Sequence, residues 1–118
     1  MKKKIERFHE NRSRMNEKIL GSGFLPFKQF FALDTKTYAP GALDERTKEL
    51  MGLVASMALR CDDCITYHLE RCVSLGVQRE ELYEAMNVAL VVGGSITIPH
   101  LRRAFEMLEE LEEQGRKD

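Results

Sequence analysis

The chain predicts an all-α fold of about six helices, and three observations carry that expectation. Apolar residues recur at three- and four-residue spacing through nearly every segment. Residues that start and stop helices punctuate the chain at intervals of one helix. No stretch alternates apolar with polar residues: Val91-Val92 and Ile96-Thr97-Ile98 are β-branched but too short to form a convincing strand.

Residues about 4 to 20 set Ile5, Phe8, Met15 and Ile19 among charges as an amphipathic helix, which Gly21-Ser22-Gly23 ends. Phe24 to Leu33 follows, with Pro26 at an early helix position and the aromatics available for burial. Asp34 to Leu43 reads as a loop carrying the turn pair Pro40-Gly41. Asp44 is a good N-cap for a helix from Glu45 to about Arg60, with Leu50, Met51, Leu53, Val54, Met57 and Ala58 on its apolar positions. The next helix begins at the Cys61 segment, runs to Leu75 and stops at Gly76. Val77 or Gln78 opens a fifth, buried through Leu82, Met86, Val88, Ala89, Leu90 and Val92 and closed by Gly93-Gly94-Ser95. The last starts near Thr97, accepts Pro99 early, and carries Leu101, Ala104, Phe105, Leu108 and Leu111. Residues 1–38 form an N-terminal helical segment and residues 39–118 the core, together one compact domain.

The 118 residues carry a net charge of −1, which leaves no electrostatic footprint for nucleic acid. Lys2, Lys3, Lys4, Arg7, Arg12 and Arg14 make the start basic; Glu109, Glu110, Glu112 and Glu113 make the end acidic. Such blocks read as solvated helix faces. No run approaches the roughly 18 to 20 apolar residues of a membrane span, and no signal-peptide apolar region follows the first lysines. A cytoplasmic location is expected, where a CxxC pair points to redox or metal chemistry rather than a structural disulfide.

The chemistry concentrates at Cys61-Asp62-Asp63-Cys64 and His68. On a helix these three side chains share a face, and positions i and i+3 lie about 5 Å apart, within disulfide reach. Three readings stand. In the first, Cys61 and Cys64 cycle between dithiol and disulfide. His68, one turn from Cys64, would take its proton, and the helix start would favour a thiolate at Cys61. Glu49, twelve residues before Cys61, would complete an acid–base relay if the two helices fold back on each other. In the second, Cys61, Cys64, His68 and Cys72 supply zinc ligands. Eleven residues on one helix span about 16 Å, too far for one ion to hold both Cys61 and Cys72. Two or three of the four with a ligand from a neighbour remain open. In the third, the cysteines are small hydrophobes, the favoured reading for Cys72.

Lys48-Glu49-Leu50, Cys61-x-x-Cys64-x-x-x-His68 and Gly76, with Gly41-Ala42-Leu43-Asp44 before and Gly93-Gly94 after, resemble the core of the AhpD-like/carboxymuconolactone decarboxylase family over about residues 40–105. The resemblance implies an AhpD-like helical fold assembled as a homo-oligomer, a trimer or hexamer. It implies an alkylhydroperoxidase or disulfide reductase, with Cys64 the accessible reactive thiol, Cys61 its disulfide partner, and Glu49 and His68 the relay. The substrate would be a hydroperoxide or a protein disulfide, the reductant an external thiol, and no bound cofactor or metal would be needed. Peroxidase members often carry tyrosine just before the second cysteine, where this chain has Asp63. With Asp62 it places two carboxylates between the thiols, which opposes thiolate formation but suits a helix N-terminus. Two rivals remain: a decarboxylase or lactone-processing enzyme that does not use the dithiol, and a non-enzymatic helical module with a redox-sensing pair. His100 reads as a structural or solvent-facing residue that could also line the same pocket, Tyr67 as a packed aromatic that could also lend it a hydroxyl, and His9 and Tyr83 as surface and packing residues. The Phe24–Phe31 cluster reads as core, oligomer contact or the wall of an apolar cavity.

Overall fold

A computed structural model of the chain describes residues 2–117, with six α-helices and no strand among them. The helices are α1 (Lys4–Gly21), α2 (Leu25–Thr37), α3 (Glu45–Ala58), α4 (Asp62–Ser74), α5 (Arg79–Gly93) and α6 (Ile98–Lys117). A single 3-10 turn, Ser95–Thr97, joins the last two. The order matches the expectation, with one boundary corrected. Residues 34–37, expected in a loop, continue α2 for another turn. Thr35 and Thr37 hydroxyls donate to the Phe31 and Leu33 carbonyls there, bonding back along the helix instead of breaking it.

The helix ends follow from named side chains. Asp44 accepts from the Thr47 N–H at 2.7 Å and caps α3. Gln78 and Glu81 exchange side-chain and backbone bonds in a capping box that starts α5. Gly76, at φ 82°, ends α4 in the left-handed region, with the Val77 N–H bonding back to the Cys72 carbonyl at 3.0 Å. Arg60 ends α3 in the same way at φ 63°, and the Cys61 N–H reaches the Ser56 carbonyl at 3.0 Å. Cys61 therefore closes one helix and caps the next.

α3 packs on α4 and α5, α6 covers α4, and α1 lies along α6. Their buried faces supply Ile5, Leu53, Met57, Ile65, Leu69, Cys72, Val77, Leu82, Met86, Ala89, Ala104, Leu108 and Leu111. The apolar positions of α3 and α5 divide between this core and the outside. Met51, Val88 and Val92 are exposed, because the apolar stripe is wider than the face that α4 and α6 cover. The Phe24–Phe31 cluster is not core in the single chain. α2 buries no residue, and Phe24, Leu25, Phe27, Phe30 and Leu33 are exposed. No helix among the described residues is long and apolar enough to cross a membrane.

A dithiol and a buried acid–base pair at the mouth of one cleft

Cys61 stands at the N-cap of α4 and Cys64 in its first turn, Cα to Cα 5.3 Å, joined as a disulfide. The Cys61 sulfur also accepts the Cys64 backbone N–H at 3.3 Å. Cys64 is exposed and Cys61 half-buried, so an incoming reagent meets Cys64 first. A cleft of about 680 Å³ opens at this point between α1, α4 and α6. Cys64, Tyr67 and His68 line it, with Phe8, Met15 and Met107 as apolar wall.

One turn beyond Cys64, His68 is buried and bonds through Nδ1 to the Glu49 carboxylate at 2.7 Å. The hairpin of α3 and α4 thus brings the two together across nineteen positions of sequence. Only 1% of Glu49 is exposed, and a lone carboxylate there would be costly. Besides His68, its second oxygen lies 3.8 Å from the Arg71 Nε. With Nδ1 donating to a carboxylate, Nε2 of His68 is left as acceptor. It faces the Tyr38 hydroxyl at 3.4 Å. Burial, and then the carboxylates of Asp34 and Glu49, push the Tyr38 phenol above its ordinary pKa, so it stays a neutral donor. Tyr67 packs edge-on against the His68 ring and is likewise held protonated, by burial first and Glu49 next.

The fold brings three further contributors to the site. Tyr38 was hidden in the expected loop; its placement depends on Lys48, whose ammonium grips the Thr37 and Ala39 carbonyls at 3.0 and 2.7 Å. Gly52 lies under the imidazole, where an added Cβ would stand 2.7 to 2.9 Å from three ring atoms. Asp62 accepts from His100 Nδ1 at 2.7 Å and from Arg103 at 3.0 Å. His100 is therefore a partner of the CxxC segment rather than a wall of the cleft. Cys72 is fully buried, and desolvation pushes its thiol up to about 12, which makes it inert packing. His9 is an exposed partner of Glu70, and Tyr83 stacks on Phe105. Among the described residues no three His, Cys, Asp or Glu side chains converge as a metal site.

A model of the carboxymuconolactone decarboxylase family matches residues 26–107, from α2 into α6, which takes in the α4 and α6 sides of the cleft. The chain belongs to the carboxymuconolactone decarboxylase family. Two crystal structures of the Thermotoga maritima protein TM1620 are similar at 59% identity. One superposes at TM-score 0.93 over 96% of this chain and 99% of that one. The other superposes at 0.90 over 94% of each, and describes TM1620 as a member of the same family with a suggested part in the antioxidative response. A Legionella pneumophila family member in its apo form superposes at 0.78, with 32% identity over 93% of this chain and 96% of its own. A Paracoccus denitrificans protein, uncharacterized protein 4 in cox locus, is 31% identical over 70% of this chain and 75% of its own length.

Gly52 yields a direct check of the packing. Alanine normally favours a helix over glycine by roughly 1 kcal/mol, but overpacking a filled site costs about 1–3 kcal/mol. Gly52→Ala is expected to lower the urea-unfolding stability and to loosen His68 from Glu49. Stability equal to or above wild type would contradict the close approach.

Proposed function

We propose that the chain is a thiol-dependent oxidoreductase that reduces a hydroperoxide or a protein disulfide through Cys64 and Cys61. The observation that carries this reading is the pairing, in one cleft, of an exposed Cys64 bonded to Cys61 with a histidine backed by a buried carboxylate. Glu49 holds the His68 Nδ1 proton, so Nε2, which faces the Tyr38 hydroxyl at 3.4 Å, is the basic site that takes up the proton of the reduced Cys64 thiol. The Cys64 thiolate attacks a peroxide oxygen; the O–O bond breaks, the alkoxide takes a proton from His68, and Cys64 becomes a sulfenic acid. The Cys61 thiol then attacks that sulfur, water leaves, and the disulfide forms. With a disulfide substrate the same thiolate forms a mixed disulfide, which Cys61 resolves. An external thiol reductant returns two electrons and two protons, so the cycle needs a reducing compartment, for which the cytoplasm is suited.

The helix start gives the two cysteines different work. A reductant entering the cleft attacks the exposed Cys64 sulfur, and Cys61 is the leaving group. As the N-cap it departs as a thiolate facing the unpaired N–H groups of α4, and a better-stabilised leaving thiolate leaves faster. Dipole and histidine thus serve opposite halves of one cycle.

Intact mass after peroxide treatment of the reduced protein checks the assignment. Wild type should lose two hydrogens, Cys61→Ser should stop with one added oxygen on Cys64, and Cys64→Ser should form no disulfide. A wild type that loses no hydrogens would remove the dithiol mechanism, and oxygen trapped on Cys61 in Cys64→Ser at the wild-type rate would reverse the roles. Turnover that survives Cys64→Ser would favour chemistry without the dithiol.

We also read the chain as one subunit of a homo-oligomer, a trimer or hexamer. Support comes from the exposed apolar side of α2 and from an apolar groove of about 500 Å³ formed by Leu50, Met51, Val54, Ala55, Ala58 and Val92. Sedimentation equilibrium should give a mass several times that of one chain, and Phe30→Glu with Leu33→Glu should lower it. A monomer at all concentrations would contradict this.

A further inference from the structure

We propose that His100 and Arg103 are positioning residues for the dithiol: gripping the Asp62 carboxylate from α6, they keep its charge from opposing thiolate formation at Cys61 and Cys64. The inference rests on the reading that this dithiol is the working group. Asp62 is the first residue of α4, directly after Cys61 and two before Cys64. A free carboxylate there would repel the thiolate that each half of the cycle requires. Both of its oxygens are instead occupied. His100 Nδ1 donates to Oδ1 at 2.7 Å and Arg103 Nη1 to Oδ2 at 3.0 Å, from residues 38 and 41 positions further along.

The three groups differ in exposure in a way that favours an electrostatic role. His100 is mostly covered, at 17% side-chain exposure, while Arg103 reaches over Asp62 from solvent at 58%. Arg103 is a permanent cation, so the neutralisation persists whatever the state of His100. Asp63, the other carboxylate between the thiols, is exposed and lines the cleft mouth, as Arg103 does. The hydrogen bonds from His100 and Arg103 fall on the carboxylate beside Cys61, the sulfur that must leave as a thiolate. The other charged side chains around the mouth are Lys4, Arg7 and Arg12 of α1, Asp34 of α2 and Glu106 of α6, and none of them is altered by the substitutions below.

The test is the pH dependence of iodoacetamide alkylation at Cys64 in the fully reduced chain, read by intact mass. It needs no peroxide or disulfide turnover, so it reports even if the proposed activity fails. His100→Ala with Arg103→Ala should raise the apparent thiol pKa by about half a unit, slowing alkylation near neutral pH about three-fold. Arg103→Lys, which keeps the charge, should recover most of the rate. In an Asp62→Asn background the same two alanine substitutions should slow alkylation much less, because the exposed Arg103 is then no longer held beside the dithiol. Arg103→Gln alone, at an exposed position, serves if the double variant melts early, with a smaller slowing in the same direction. An unchanged rate in the Asp62 background, or an equal loss with and without the carboxylate, would overturn the proposal and leave the cluster as a helix anchor.

Discussion

Glu49 and His68 meet through a 2.7 Å hydrogen bond buried between α3 and α4. A carboxylate with 1% exposure is tolerable only with partners, and the partner it has is the group proposed to move the proton. The neighbouring sequence choices serve this contact. Gly52 leaves room for the ring, Lys48 ties down the segment that brings Tyr38 to its far side, and Arg71 stands by the second carboxylate oxygen. Removing either member of the pair strands the other in a desolvated site, so fold and chemistry are coupled at one bond.

The link between α3 and α4 sets where the sulfurs fall relative to that bond. Arg60 takes the left-handed conformation that closes α3, and Cys61 follows at once as the cap of α4. That leaves Cys64 in the first turn, one turn short of His68 and open to the cleft, with Cys61 behind it. A longer connection would have moved the dithiol and the imidazole together away from Glu49.

Much of this was legible in the residues. Helical spacing, Asp44, Gly76 and Gly93-Gly94 marked the helices, because caps and stops are local chemistry. The positions of Cys61, Cys64 and His68 on one face followed from helix geometry, and the Glu49 contact followed if α3 and α4 folded back on each other. What was hidden depends on which face a neighbour covers. Val88 and Val92 look as apolar as Leu82 and Met86, yet only the latter pair meets the core. Phe27 and Phe30 resemble core aromatics, but α2 has no helix over its apolar side within the chain. Tyr38 and His100 were obscured for a different reason: each reaches its partner across 30 or more positions, through contacts that no spacing rule encodes.

The central claim is that Glu49 acts on Cys64 only through His68. A double-mutant cycle on the rate of peroxide-driven disulfide formation tests it most directly. Loss of a general base costs about 10²-fold or more. His68→Ala should show a fall of that order, and Glu49→Gln a substantial part of it. The double variant should be no slower than His68→Ala alone, since a relay already broken cannot be broken again. Two independent losses that multiply would contradict the account, and so would a wild-type rate in His68→Ala.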